Sequence, residues 1–281
     1  MYIYFIFGIS FLFKFFFFIL NKIFDWYLFS PIIVEEQKYL KLDYETDDIK
    51  SEFIKLNQGG NNFIAINKII PKTKFSKYFI FSHGNKATIY RTNNYLVKMA
   101  LELNVGIFTY DYSGYGLSSG KCSEKKCYEN LSNLINYILS LKINKKNLIL
   151  VGRSLGTGIT IDFVSKQKNW MNPIILISPY KSILHVAFDK IIYNCKYLKF
   201  LKQSNLPFDR FKTMNKIKNL NCPIKFVHGS QDFYIPLSHS KELYEHTRNK
   251  LFGIYFVENA NHTNIMILID FKQLKEVVDY N

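Results

Sequence analysis

Arginine is scarce in this chain. Only Arg91, Arg153, Arg210 and Arg248 occur among 37 basic residues, although the formal net charge is +15. Specific nucleic-acid sites rely on guanidinium forks against base edges and phosphates. No helix-turn-helix, zinc-finger or RNA-recognition spacing accompanies the lysines. Nucleic acid is therefore excluded as an expected partner, and the Lys, Asn, Ile, Phe and Tyr excess fits the bias of an AT-rich genome. Cysteine is equally sparse. Cys122 and Cys127 form a C-x4-C pair with no matching His or Cys pair nearby, and Cys195 and Cys222 stand apart. That spacing excludes a zinc site, and four cysteines in 281 residues build no disulfide framework. Reduced thiols in a cytosolic compartment, with no metal and no cofactor, are the expectation. Internal repeats and long linkers are absent as well.

What is abundant is apolar sequence, most densely at the N-terminus. Fourteen of the first twenty residues are Ile, Leu or Phe. On an insertion scale these favour the bilayer by about 4 to 8 kcal/mol, against about 3 for Lys14 at mid-span. An uncleaved, single-pass membrane anchor over residues 1–30 is the expectation, with 31–50 as connector. A signal peptide would need a basic n-region and small residues at a cleavage site, and neither is there. A re-entrant or monotopic segment is the other alternative. Lys22, Lys38 and Lys41 follow the run and place the rest of the chain in the cytoplasm. The sequon Asn261-His-Thr263 agrees, because a glycan there would block a residue assigned below to the site.

From residue 51 onward strands alternate with helices. Ser51–Asn57 and Asn62–Ile70 flank a Gly59-Gly60 turn and read as a hairpin. Tyr78–Ser82, Val105–Tyr110, Leu148–Val151, Pro173–Ser178, Ile224–His228 and Gly253–Val257 read as short buried strands. Arg91–Leu103, Ser123–Leu141 and Ile267–Val278 read as helices. The fold class is α/β, with a mostly parallel central sheet and helices on both faces over residues 51–281. A small cap is expected at about 181–218.

One junction carries chemistry. Leu148–Val151 runs into Gly152-Arg-Ser-Leu-Gly156, and the pattern then turns helical. A strand, Gly-x-Ser-x-Gly and a helix make a nucleophile elbow, which exposes a serine hydroxyl on a strained turn. Side chains at 152 and 156 would collide across it. A second match, Gly116-Leu-Ser-Ser-Gly120, lacks both the preceding strand and the following helix and reads as a turn-rich loop.

Sites in such sheets form at the carboxyl ends of strands. Asp232 follows the Ile224 strand, and His262 follows the Gly253 strand. The order Ser154, Asp232, His262 suits a nucleophile, an orienting carboxylate and a general base. Among six histidines, His83 and His228 precede glycine at strand ends, and His185, His239 and His246 sit in expected helices with exposed or partly buried roles. Only His262 lies in a loop after the last strand. Glu258 and Asp189 are the rivals to Asp232. The N–H of Leu155, at a helix start, and that of Asn85, beside Gly84, are the expected oxyanion donors.

His83-Gly-Asn85, Asp111-Tyr-Ser-Gly-Tyr-Gly116-x-Ser118-x-Gly120, Gly152-Arg-Ser-Leu-Gly156, His228-Gly-x-x-Asp232 and the His262 loop occur together here. Over residues 50–280 they resemble membrane-associated serine hydrolases of the α/β-hydrolase fold. The similarity is closest to the branch that removes palmitate from cysteines of membrane proteins and to its single-span relatives. The resemblance implies Ser154, Asp232 and His262 as triad and Asn85 and Leu155 as oxyanion donors. Two departures stand out: no cysteine precedes Cys122, and Arg153 replaces the glutamine usual in that branch.

The expected cap holds eight lysines and Arg210 against Asp189 and Asp209, interleaved with Phe188, Tyr193, Tyr197, Phe200, Phe208 and Phe211. Such a surface suits an anionic leaflet. The expected partners are therefore the bilayer and acylated membrane proteins or lipid substrates. Hydrolysis of long-chain acyl thioesters is the leading expectation. Monoacylglycerol or lysophospholipid esterase activity is the alternative, and a catalytically silent membrane-anchored interaction module is the reading from another class.

Overall fold

The computed structural model describes residues 28–192 and 209–280, together with Phe15, Phe18, Ile19, Lys22 and Asp25. The connector holds a short helix α1 (Glu36–Leu40), then strands β1 (Tyr44–Glu45), β2 (Ile49–Gly59), β3 (Asn62–Pro71) and β4 (Tyr78–Ser82). Helix α2 (Ile89–Leu103), β5 (Gly106–Tyr110), α3 (Glu124–Ser140), β6 (Leu148–Arg153), α4 (Leu155–Ser165) and β7 (Ile174–Ile177) follow. The chain closes with α5 (Ile183–Ile192), α6 (Thr213–Ile217), β8 (Ile224–Gly229), α7 (Ser238–Glu245), β9 (Ile254–Val257), α8 (Ile265–Leu268) and α9 (Lys275–Val278). The described strands form one nine-stranded sheet, ordered β1-β2-β3-β5-β4-β6-β7-β8-β9. β1, β2 and β3 pair antiparallel, as does β3 with β5. Every pairing from β5 through β4 to β9 is parallel.

The period of two along each strand divides the core between the faces of the sheet. Ile80, Phe108, Leu148, Leu150, Leu176 and Phe226 pack with Leu131, Leu134 and Ile138 of α3 and Ile159 of α4. Their neighbours Phe79, Phe81, Ile107, Ile149, Val151 and Val227 point the other way, against Leu96 and Met99 of α2 and Leu274 near the C-terminus. The central strands are thus apolar on both faces, which is why they read as continuous runs. Caps fix the helix starts: the side chain of Thr88 accepts from the Arg91 N–H, and that of Ser123 accepts from the Lys126 N–H. Cys122 and Cys127 flank that second cap with their sulfurs 3.5 Å apart, and both are thiols.

Several expectations need correction. The C-terminal helix expected over Ile267–Val278 is broken. Ile269 and Asp270 are extended, and the Asp270 carboxylate caps a 3-10 turn, Phe271–Leu274, by accepting from the Lys272 N–H. Burial of Ile269 and Phe271 in the core holds the break open. Among the described residues of the cap, two lysines are engaged in ion pairs. Lys181 is buried and pairs with both oxygens of Glu242, at 2.8 and 2.7 Å. Lys216 pairs with Asp162 at 2.6 Å, and Phe211 is wholly buried. Tyr193, Tyr197, Phe200 and Phe208 lie outside the described residues, as does most of the apolar run 1–20. Among the described residues no helix is long and apolar enough to cross a membrane.

His239, expected to be exposed or partly buried in a helix, is fully buried. Its Nδ1 accepts from the Lys181 N–H at 3.1 Å, and its Nε2–H donates to Asp189 at 2.7 Å. His228 is buried too, with Nε2–H donating to the Ile235 carbonyl and Nδ1 accepting from Ser240. Burial pushes both imidazoles below their ordinary 6.5. Asp189 and Glu242 oppose this at His239, and Lys181 adds to it; Asp232 opposes it at His228, while His239 and His262 add to it. A depressed histidine binds fewer protons in the folded chain than in the unfolded one. Its contribution is fully present above the unfolded value and is lost as pH falls from there toward the lower native value. Urea midpoints measured from pH 8 to pH 5 should therefore decline below about pH 6.5. A flat or rising profile over that interval would contradict the neutral, buried state of this pair.

Candidate active site

Strand β6 delivers Ser154 to the carboxyl end of the sheet. The serine sits at φ 51°, ψ −117°, between the strand and α4. A non-glycine residue rarely adopts this backbone, and it persists only where neighbours over-determine it. Here the Ser154 N–H donates to the Ile177 carbonyl at 2.8 Å, and its carbonyl accepts from Thr157 through N–H at 2.9 Å and Oγ1 at 2.7 Å. The flanking glycines are needed for contact. A Cβ on Gly152 would lie 2.5 Å from the Gly156 carbonyl oxygen, and one on Gly156 would lie 2.0 Å from that of Ser82.

The loops after β8 and β9 complete the arrangement. His262 Nε2 lies 3.0 Å from Ser154 Oγ, and Nδ1 lies 2.8 Å from Asp232 Oδ2. With Nδ1 protonated toward the carboxylate, Nε2 accepts from the serine hydroxyl. The other oxygen of Asp232 accepts from the N–H groups of Tyr234 at 3.0 Å and Ile235 at 2.8 Å. Burial opposes ionisation of Asp232, but the bond and charge of His262, helped by the Ile235 N–H, outweigh it and hold the carboxyl below the usual carboxylate range. The two rivals to Asp232 lie elsewhere: Asp189 is bonded to His239, and Glu258 is exposed.

Two contacts at His262 have no counterpart in the sequence reading. The ring of Tyr234 stacks on the imidazole, with centroids 4.9 Å apart and planes inclined by 27°. Arg153, the elbow residue, donates through Nη2 to the His262 carbonyl at 2.5 Å. Among the described residues no carboxylate lies within ion-pair distance of Arg153, and its buried Nε has no partner. The side chain is half-buried, with one buried nitrogen. What it does is tie the elbow to the His262 loop. Gly84 makes room for it, since a Cβ there would come within 2.7 Å of Arg153 Nη1. The scarcity of arginine and its place in the elbow were the only sequence signals of this link.

The loop after β4 supplies the opposite side. Asn85 Nδ2 donates to the Leu28 carbonyl, and Oδ1 accepts from the Tyr115 hydroxyl, both at 2.6 Å. The Tyr112 hydroxyl donates to the His83 carbonyl at 2.5 Å. The loop is thus buttressed by the Asp111–Tyr115 turn, and the Asn85 side chain is spent on structure. Asn85, Leu155 and Ser154 line one cavity of about 810 Å³. Leu155 opens α4, whose first N–H groups have no acceptor within the helix. The second Gly-x-Ser-x-Gly serves differently. Ser118 Oγ accepts from the Ala65 N–H at 2.9 Å and donates to the Asp111 carbonyl at 2.8 Å. Among the described residues no cluster of His, Cys, Asp and Glu could hold a metal ion.

A serine bonded to an imidazole that is bonded to a buried carboxylate can perform acyl transfer. Known proteins fit that capacity. The family described as serine aminopeptidase, S33, matches residues 73–202. L404 of Acanthamoeba polyphaga mimivirus, named as an alpha/beta hydrolase, is 39% identical over 232 residues, covering 81% of this chain and 83% of that protein. Alpha/beta hydrolase domain-containing protein 17C of Xenopus laevis is 31% identical over 208 residues, or 73% of this chain, and the match spans 62% of its own length. An esterase of Pyrococcus furiosus superposes with a TM-score of 0.63 over 89% of this chain and 95% of its own, at 14% identity, which is a likeness of fold. The chain belongs to the α/β-hydrolase superfamily.

Proposed function

We propose that the protein is a membrane-anchored serine hydrolase that cleaves long-chain acyl thioesters of membrane proteins. The observation that carries the reading is the Ser154–His262–Asp232 hydrogen-bond chain, with Ser154 opening into a cavity of mixed but mainly apolar lining. Ser154 Oγ attacks the acyl carbonyl carbon while His262 Nε2 takes its proton. Asp232 holds the tautomer and stabilises the imidazolium. The oxyanion that forms is met by the N–H groups of Leu155 and Asn85. His262 then protonates the departing thiolate, leaving an acyl-serine, and a water activated by the same imidazole releases the fatty acid.

The apolar run at residues 1–20 supports attachment to a bilayer, with the catalytic domain in the cytoplasm. The resemblance to the depalmitoylating branch supports the thioester. The same machinery cleaves oxygen esters, so a lipid substrate is the alternative to be tested beside it, and a silent interaction module would show neither activity. The full chain, in mixed micelles, should release palmitate faster from an S-palmitoyl peptide than from a monoacylglycerol. Ser154→Ala should lower either rate by about 10⁴-fold or more. A faster monoacylglycerol reaction would replace the thioester reading with the lipid one, and no turnover of either would remove the enzyme.

The Arg153 link predicts a separate outcome. Arg153→Met frees the His262 loop from the elbow and should reduce kcat by about 10²-fold, the cost of a misplaced catalytic group, with KM nearly unchanged. Arg153→Lys should recover part of it. Steady-state kinetics of the three proteins check this, and equal kcat values would refute a positioning role.

A further inference from the structure

The cavity that reaches Ser154 has an unexpected wall. Leu28 and Phe29, at the end of the stretch assigned above to the anchor, line it together with Pro31 and with Ile183, Val186 and Ala187 of α5; Lys22, Asp25, Lys86 and Lys121 add charged groups to the lining. The stretch from Asp25 to Ile32 is fastened to the body of the fold at four points. Asp25 pairs with Arg210 at 2.9 Å, and the Leu28 carbonyl accepts from Asn85 at 2.6 Å. The rings of Phe29 and Phe211 meet edge to face at 6.2 Å, and the Ile32 carbonyl accepts from the Gly116 N–H at 2.7 Å. Leu28 and Phe29, expected as the end of an anchor over residues 1–30, are instead buried within the main core cluster, so the folded domain begins before residue 31.

We propose that residues Leu28–Pro31 are one wall of an acyl-chain groove whose other wall is the start of α5, and that this groove selects substrates with long acyl chains. The inference rests on the serine-hydrolase reading above. An acyl carbonyl at Ser154 places the first methylenes between the two walls. The cavity, at about 810 Å³, falls in the range of ligand pockets, and among its lining Leu28, Phe29, Pro31, Ile183, Val186 and Ala187 offer apolar surface to an acyl chain, while Lys22, Asp25, Lys86 and Lys121 supply charged groups. Asn85 links the two parts of the site. Its side-chain amide holds Leu28, while its backbone belongs to the loop that faces the oxyanion, so the groove and the reacting carbon are held in register by one residue. In sequence, Leu28 to Pro31 follow the apolar run 1–20 within about ten residues, at the end of the segment expected to enter the bilayer.

The test is the chain-length profile of the full protein on p-nitrophenyl esters from acetate to palmitate. The wild type should favour the long esters. Leu28→Trp and Val186→Trp fill the groove from opposite walls and should each lower the palmitate-to-acetate ratio of kcat/KM by about tenfold or more, since each methylene lost from an apolar pocket is worth a severalfold change. Two variants on separate elements keep the test intact if one fails to fold. An unchanged ratio in both would overturn the groove. Failure of the wild type to hydrolyse any ester would overturn instead the serine-hydrolase reading.

Discussion

The left-handed backbone of Ser154 is the constraint around which the site is built. Such a conformation costs on the order of 1–3 kcal/mol in a non-glycine residue. It survives because both flanks are locked: β6 lies between β4 and β7, and α4 is buried along almost its whole length. Gly152 and Gly156 let β6, α4 and the end of β4 at Ser82 approach to distances that any Cβ would forbid. The tightness of the turn therefore follows from the packing of the sheet. It raises the hydroxyl clear of the strand end, within reach of a histidine carried by a different loop.

That histidine is held at several points. Asp232 fixes one ring nitrogen, Tyr234 covers a face, and Arg153 grips the backbone carbonyl. Asp232 is itself fixed by two backbone N–H groups. These supports come from two segments, the loop after β8 and the elbow after β6, and only the sheet brings them to the loop that carries His262. The second Gly-x-Ser-x-Gly shows the contrast. Ser118 has the same local motif, but without a strand before it and a helix after it the hydroxyl is absorbed by the hydrogen bonds of a loop.

Much of this was legible in the sequence. Strand and helix limits fall within about two residues of their expected places for the buried strands and for α2 and α3, where continuous apolar runs and the caps Thr88 and Ser123 mark them. Ser154, Asp232 and His262 could be picked out because strand ends concentrate chemistry and the order of the three was informative. What could not be read depended on contacts between distant segments. Arg153 and His262 are 109 positions apart, and Asn85 and Leu28 are 57 apart. His239 read as an exposed or partly buried helix residue, and its full burial and its bond to Asp189 of another helix were not legible from its own segment. The C-terminal helix kept helical spacing through Ile269, and the break there came from a local cap at Asp270 and from core packing.

The central claim is that Ser154 is the activated nucleophile of this fold. A fluorophosphonate probe reacted with the full-length protein, followed by digestion and peptide mass spectrometry, tests it most directly. The account predicts a single stoichiometric adduct on the peptide containing Ser154, absent when His262 is replaced by alanine. No adduct on the wild type, or an adduct on Ser118 or another serine, would contradict it.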